Sequence, residues 1–172
     1  MENDFTKLNV GDKVSLNGTI FTARDRAQLF LLENDFQKIK NSIIYHCGPI
    51  VKGNEVVAAG PTSSSRFNLY TKQLIDKYNI RAIIGKGGMD NNVLDALRGR
   101  AVYFSAIGGA ALLYTKNMKI RNVYKKEFGM AEAIWELEVK DFPVMVTMDS
   151  KGRNLHDNIL KTSKGVFEKL VR

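Results

Sequence analysis

A pattern that occurs three times along the chain constrains its fold more than any other feature. At 56–66, 82–92 and 101–112, a short apolar run is followed by a loop of small or polar residues and then by helical spacing. Parallel strands need a crossover connection, and their carboxyl ends lie at one edge of the sheet. The pattern therefore predicts an α/β fold whose loops meet at that edge, where open α/β sheets bind their ligands.

The first of these loops, at 60–66, holds a proline, four hydroxyl residues and an arginine. A helix is predicted over 65–78, so free backbone N–H groups at its start would favour a bound anion. Arg66 can add a two-pronged contact with a carboxylate. Alternatively, Ser64 or Ser65 only caps the helix and the rest of the loop is a turn. The local sequence leaves both interpretations open.

The second loop brings a positive charge to the same edge. Lys86 is followed by two glycines at the end of a buried-type strand. The spacing does not fit a Walker A loop, which excludes nucleotide hydrolysis. The glycines let the backbone approach a ligand while Lys86 supplies the charge, and a flexible turn with a surface lysine is the alternative.

The third loop contributes three candidate backbone donors, Ser105, Gly108 and Gly109. Glycines at such a position otherwise serve tight packing, so both uses stay open. Since the three strands are predicted to be parallel, we expect four side chains to converge at their carboxyl ends: Thr62, Arg66, Lys86 and Ser105.

Periodicity predicts the remaining elements. They are a strand at 13–21, a helix from the Thr22 N-cap toward Phe36, a hairpin of 42–51 with 56–59, a hairpin within 134–148 and a helix from Asn154.

The cysteine content limits the chemistry of the chain. Cys47 is the single cysteine, which excludes an internal disulfide and a self-contained iron–sulfur cluster. His46 precedes it in a predicted strand, so the two side chains point to opposite faces and cannot act together as base and nucleophile. We therefore predict that this chain binds no metal ion by itself.

The net charge of +8 suits nucleic acid, an anionic membrane surface, an acidic partner or small anions. The densest basic stretch, 116–126, has apolar residues between its cations, as in a half-buried surface segment. A nucleic-acid-binding or interaction module is the non-enzyme alternative, and it would need exposed aromatic residues among the basic ones. No apolar run reaches the roughly 18 residues of a membrane span, and the polar start is unlike a signal peptide. We therefore expect a cytoplasmic protein.

Several motifs in a fixed order carry a family resemblance. They are Gly60-Pro61-Thr62 with Arg66, Gly85-Lys86-Gly87, Ser105-Ala106-Ile107-Gly108-Gly109, and Ala133-Ile134-Trp135-Glu136 with Asp141-Phe142-Pro143. In these motifs the chain resembles the C-terminal, or β-subunit, part of the class I, iron–sulfur-dependent fumarate hydratases and L(+)-tartrate dehydratases. The resemblance covers the chain from Val10 to Asn154. The length suits a single domain over 1–172, and the resemblance implies the three-layered, swivelling β/β/α architecture for it.

The resemblance also implies a function. The chain would be the β subunit of a two-subunit hydro-lyase acting on a small dicarboxylate, with fumarate hydratase activity as the expectation and tartrate dehydratase activity as the alternative. The 4Fe-4S cluster would be bound by a cysteine-containing α subunit and not by this chain. Whether the isolated chain forms a homodimer is left open.

Site residues are carried over at matching positions only. By resemblance, Arg24, Arg66 and Lys86 would bind the substrate carboxylates, and Thr62 would take part in proton transfer. Dehydration of a 2-hydroxy dicarboxylate needs these functions, because two carboxylates must be neutralised while a C–H proton leaves. The chain departs from the family pattern at Gln28, where a histidine is expected. This departure limits the transfer of roles on that helix to Arg24.

Overall fold

The computed structural model describes residues 4–171, in which strands and helices are mixed. The α/β class predicted from the sequence is therefore confirmed. In chain order the elements are β1 (Lys13–Thr22), α1 (Asp25–Glu33), β2 (Ile43–Tyr45), β3 (Ile50–Lys52), β4 (Glu55–Ala58), α2 (Asn68–Tyr78), β5 (Ala82–Gly85), α3 (Asn91–Leu97), β6 (Val102–Ser105), β7 (Met118–Tyr124), β8 (Ile134–Met148) and α4 (Leu155–Leu170).

A six-stranded sheet in the order β1-β2-β5-β6-β8-β7 forms the centre of the fold. β1, β2, β5 and β6 are parallel neighbours, as expected for strands joined by helical crossovers. β8 runs antiparallel to β6, β7 and β1. Its pairing with β1 therefore connects the two sides of the parallel part.

Two hydrophobic cores lie on opposite faces of this sheet. Ile84 and Phe104 point into one core, whereas Ile83 and Tyr103 point into the other, which also takes apolar residues from α1, α2 and α3. Because β5 and β6 are buried on both faces, their sequences are continuous apolar runs rather than alternating ones. This feature made both strands recognisable in the sequence.

The repeated strand–loop–helix pattern is confirmed for its second unit and is wrong in part for the other two. β4 belongs to a separate antiparallel hairpin with β3, and β2 takes its place in the parallel sheet. After β6, residues 107–114 form turns followed by a 3-10 turn over Thr115–Asn117. Leu112 and Leu113 are exposed there, so no packing partner holds a helical apolar face within the described chain.

The hairpin predicted within 134–148 is wrong, because β8 is one strand that pairs with β1 along most of its length. Asp141 has a φ of +53°, a left-handed conformation that aspartate tolerates better than most residues. Asn17 Oδ1 accepts a hydrogen bond from the Asp141 N–H at 3.0 Å. The bend resembles a turn in sequence, but the strand continues through it.

The start of α1 also differs from the prediction. Thr22 is the last residue of β1, and its buried hydroxyl donates to the Ala133 carbonyl and accepts from the Trp135 N–H. Since that hydroxyl is engaged in the sheet, Arg24 occupies the N-cap position instead.

The C-terminal helix predicted from Asn154 is confirmed, and Asn154 Oδ1 accepts a hydrogen bond from the N–H of His156. Only the first turn of α4 packs against the domain, and residues 158–170 are all exposed. No helix within residues 4–171 is long and apolar enough to cross a membrane.

Candidate active site

The loop at 60–66 joins the main sheet as a short extension between the ends of β2 and β5. The Thr62 N–H donates to the carbonyl of His46 at 2.7 Å, and the Thr62 carbonyl accepts from the N–H of Lys86 at 3.2 Å. The Ser64 N–H then donates to the Lys86 carbonyl at 3.0 Å. These backbone hydrogen bonds place Thr62 beside Lys86.

Ser64 has a different role from the helix cap that the sequence allowed. Its side chain is fully buried, and its Oγ lies 2.9 Å from His46 Nδ1 and accepts a hydrogen bond of 2.9 Å from the Tyr103 hydroxyl. Gly85 faces this group, and a Cβ there would overlap the Ser64 hydroxyl oxygen. The capping interpretation is wrong for Ser64, because Phe67 occupies the N-cap position of α2.

Arg24 projects from the start of α1 and lies against Gly48. A Cβ on Gly48 would be 2.8 Å from Arg24 Nη1 and 2.9 Å from its Cδ, so a glycine is required for this placement. The Arg24 Nε is 3.4 Å from a carboxylate oxygen of Glu132. This Nε is buried and has no hydrogen-bond partner among residues 4–171.

Arg66 is held at the start of the neighbouring helix by an ion pair with Asp25. Arg66 Nη2 lies 2.6 Å from Asp25 Oδ2, and half of the arginine side chain is exposed. Since Asp25 directly follows Arg24, the ion pair connects the segments that carry the two predicted carboxylate-binding arginines. Arg24 and Arg66 are therefore positioned by linked elements.

Lys86 is exposed, and its side chain passes close to Gly108. A Cβ on Gly108 would be 3.4 Å from Lys86 Cδ, and a Cβ on Gly60 would be 3.1 Å from the Cβ of Ala111. The third loop therefore lies against both the first and the second loop, as the sequence predicted.

The side chain of Ser105 forms hydrogen bonds with residues outside the predicted set. Its Oγ is 2.7 Å from Thr147 Oγ1 and 3.4 Å from His156 Nε2. His156 also packs against Gly88, where a Cβ would be 2.9 Å from its Cγ. Burial lowers the pKa of His156, opposed by the Asp157 carboxylate. Ser105 pairs with Gly85 in the sheet, so its strand position lies next to the loop that carries Lys86.

Sequence reasoning missed Gly48 and His156. Gly48 followed the single cysteine inside an apolar run, and nothing in that run indicated that an arginine from another element would lie against it. His156 lies in the first turn of α4, and its only sequence signal was the Asn154 cap two positions earlier.

Cys47 and His46 are both buried, and burial keeps both side chains uncharged at neutral pH. Burial raises the pKa of the Cys47 thiol to about 12, so the nucleophilic thiolate is absent at neutral pH. Burial lowers the pKa of His46 to about 3, which keeps its imidazole neutral. Within residues 4–171, no group of three or more His, Cys, Asp or Glu side chains is arranged to hold a metal ion.

The three predicted cations lie on elements next to the Thr62 loop. Arg24 and Arg66 each have a carboxylate partner, Glu132 and Asp25 respectively, and Lys86 adds a third positive charge. Guanidinium groups make two-pronged contacts with planar carboxylates, so the arrangement suits an anion with more than one carboxylate.

The sequence is similar to one protein family and to several named proteins. The sequence model of the family described as "Fumarase C-terminus" matches residues 1–159. The chain is 45% identical over 170 residues to a protein of Geobacillus stearothermophilus named putative fumarate hydratase class I, covering 94% of this chain and 33% of that protein. This chain thus spans about a third of the length of that relative.

Two further relatives are similar to this chain over most of their own length. A protein of Methanocaldococcus jannaschii named putative L(+)-tartrate dehydratase subunit beta is 44% identical over 183 aligned positions, which cover 98% of this chain and 92% of the relative. The L(+)-tartrate dehydratase subunit beta of Escherichia coli (strain K12) is 34% identical over 163 positions, covering 88% of this chain and 81% of the relative.

Proposed function

Since this chain belongs to the Fumarase C-terminus family, we propose that it is the β subunit of a two-subunit, iron–sulfur-dependent hydro-lyase. The proposed reaction is the reversible hydration of fumarate to malate. As part of the same proposal, residues 1–172 form a single domain of the swivelling β/β/α type in the cytoplasm.

The observation that carries this proposal is the backbone pairing of Thr62 with Lys86. These backbone hydrogen bonds hold the Thr62 loop against the segment of Lys86, while Asp25 links the segments that carry Arg24 and Arg66. A dicarboxylate needs positive groups at both ends and a proton-transfer group between them. We propose that the four side chains supply that set.

Each side chain is proposed to perform a defined part of the reaction. Arg24 and Arg66 would bind the carboxylates, and Lys86 would stabilise the negative charge that develops as the C–H proton leaves. Thr62 would lie beside that C–H bond and take the proton. A threonine hydroxyl is a weak base, so this step depends on the cations around it to favour its deprotonated form.

The residues of this chain do not fit an iron–sulfur cluster, because such clusters are held by several thiolates and Cys47 is a buried, protonated thiol. We propose that a cysteine-containing α subunit holds the 4Fe-4S cluster. The relatives from M. jannaschii and E. coli are named as β subunits, which supports a partner of this kind.

The α subunit is proposed to dock on the face that carries Thr62, Lys86 and the third loop. Three apolar side chains of that loop, Ile107, Leu112 and Leu113, are 67–70% exposed. Ile107 also borders a groove of about 490 Å³ together with Ser105 and Pro143. A contiguous patch of exposed apolar side chains of this kind often marks a protein–protein interaction site.

Anaerobic co-expression with a candidate α subunit tests the function. We expect the isolated chain to be colourless and inactive, and the complex to interconvert malate and fumarate. Hydrogen exchange on the complex should show protection over 107–113. A partner-free chain that hydrated fumarate at enzymatic rates would refute the two-subunit proposal, and protection confined to 116–126 would place the interface elsewhere.

Tartrate is the alternative substrate, because the relatives that this chain matches over most of their own length are named tartrate dehydratase subunits. Parallel assays on malate, fumarate and tartrate decide between the two. The non-enzyme alternative, a nucleic-acid-binding module, would require salt-dependent binding of single-stranded DNA or RNA by the basic 116–126 segment.

Gly48→Ala should displace the Arg24 guanidinium and weaken substrate binding. The added methyl group would meet Arg24 Nη1 at 2.8 Å and the Ala131 carbonyl oxygen at 2.7 Å. We expect KM to rise by about 10-fold or more, the scale of one lost charge-assisted hydrogen bond. Steady-state kinetics of the complex measure this change.

Gly165→Ala is the matched control, since a Cβ there would have no heavy atom of the described chain within 4 Å. It should leave KM unchanged. A Gly48→Ala enzyme with wild-type KM would show that Arg24 does not bind the substrate.

A further inference from the structure

A chain of buried polar groups lies directly beneath the loop that carries Thr62. The Tyr103 hydroxyl donates to Ser64 Oγ, which lies 2.9 Å from His46 Nδ1. All three side chains are at most 1% exposed. Tyr103 lies in β6, Ser64 in the loop and His46 directly after β2. This row of hydrogen-bonded side chains therefore runs across the sheet beneath the candidate site.

The hydrogen-bond partners of Ser64 and His46 indicate which atom carries each proton. Ser64 Oγ accepts from Tyr103, so its single hydroxyl proton is free to be donated to His46 Nδ1. His46 then carries its own proton on Nε2, an atom with no hydrogen-bond partner among residues 4–171. The Phe67 ring packs against the imidazole, with 4.4 Å between the ring centroids.

The Ser64 hydroxyl occupies the space that a side chain at residue 85 would otherwise take. A side chain at Gly85 would overlap the Ser64 hydroxyl oxygen and lie 3.0 Å from the Tyr103 hydroxyl. The backbone of Ser64 is also fixed, because its N–H donates to the Lys86 carbonyl. Ser64 is therefore held by both its backbone and its side chain.

We propose that Ser64 is a positioning residue for the reaction, which sets the location of the Thr62 hydroxyl relative to Lys86 through its hydrogen bonds to His46 and Tyr103. This inference rests on the proposed function. Thr62 is two residues from Ser64, and its own N–H donates to the carbonyl of His46. His46 thus holds the loop at both Thr62 and Ser64. A displacement of about 1 Å in a catalytic group costs about 100-fold in rate, so a buried anchor at this position has a large effect on turnover.

Ser64→Ala tests the proposal, with Ser65→Ala as the matched control because Ser65 is the adjacent, exposed serine. In the assembled enzyme, kcat should fall by about 10-fold or more for Ser64→Ala, with KM changed by less than about threefold. Ser65→Ala should match the wild type. Tyr103→Phe removes only one of the two hydrogen bonds, so it should give a smaller loss of kcat and serves if Ser64→Ala does not fold.

A readout on the isolated chain separates this proposal from the proposed function. Amide hydrogen exchange at Thr62 and Lys86 should become at least about 10-fold faster in Ser64→Ala, since opening of the loop would no longer break buried side-chain hydrogen bonds. If the wild-type complex has no hydro-lyase activity, the proposed function fails, and this exchange measurement still decides whether Ser64 anchors the loop.

Two outcomes would overturn the positioning role. One is a lower melting temperature with wild-type kcat and wild-type exchange at Thr62, which would leave Ser64 as a stability element only. The other is a raised KM with unchanged kcat, which would mean that the anchor serves substrate binding rather than the placement of Thr62.

Discussion

Thr62→Val should lower kcat by about 100-fold or more, the usual scale for the loss of a positioned acid–base group. Valine keeps the β-branched shape but removes the hydroxyl that is proposed to accept the substrate proton. The backbone hydrogen bonds of residue 62 to His46 and Lys86 do not involve the side chain, so the loop should keep its place. Substrate affinity should survive because Arg24, Arg66 and Lys86 are unchanged.

The measurement is steady-state kinetics of the assembled enzyme, together with exchange of the substrate C–H proton with solvent. Both rates should fall in parallel if Thr62 handles that proton. Thr162→Val, in the exposed part of α4, removes a comparable hydroxyl and should have no effect. If KM rises while kcat is little changed, the base belongs to the partner subunit and Thr62 only orders the loop.

Arg66→Lys should reduce kcat/KM by about 100-fold or more, although the substitution preserves the charge. Arg66 uses Nη2 to bind Asp25 at 2.6 Å, and its remaining N–H groups are proposed to form the two-pronged contact with a carboxylate. A lysine ammonium is a single point of charge, so it cannot reproduce the planar two-pronged contact with a carboxylate beside the ion pair with Asp25.

Arg121→Lys is the matched control, because Arg121 forms an exposed ion pair with Glu138 between β7 and β8. Pairs of this kind contribute about 0–1 kcal/mol to stability, and this one lies outside the proposed site. It should leave kcat/KM unchanged. Activity of Arg66→Lys within about twofold of wild type would place Arg66 outside the site.

The strands that are buried on both faces were the most predictable part of the fold. The apolar runs around Ile83 and Phe104 are continuous, and they form β5 and β6. The pairing of β4 with residues 50–52 in a hairpin was predicted and is confirmed. The error was to place β4 in the parallel sheet as well, because a short apolar run looks the same in a parallel sheet and in a hairpin.

The bend at Asp141 explains a different error. Asp141-Phe142-Pro143 is one of the motifs that resemble the family, and here it forms a left-handed kink inside β8. Asn17 and Asn117 both hydrogen-bond to the Asp141 backbone. An aspartate followed closely by proline usually indicates a turn, so only the pairing of β8 with its neighbouring strands shows that the strand continues through the kink.

The neighbourhood of Thr62 and Lys86 was predicted from sequence, but for a partly wrong reason. The prediction assumed that β4 lies in the parallel sheet, whereas the loop itself adds to the sheet between β2 and β5. The role of Ser64 could not be read from its surroundings in the sequence, because it depends on the space that Gly85 leaves and on the Tyr103 hydroxyl. Contacts between distant positions decided each of these points.

The contacts that fix the loop at 60–66 also bear on how the chain folds. Ser64 pairs with side chains 18 and 39 positions away, and Arg66 with one 41 positions away. Each pairing must first overcome the entropy of closing a long loop, which slows folding in proteins rich in such contacts. No short fragment of the chain therefore contains all the residues that form the site. A nascent chain gains its partners for Ser64 only once β6 has been synthesised, so competence to bind a substrate is acquired late and together with the closed sheet.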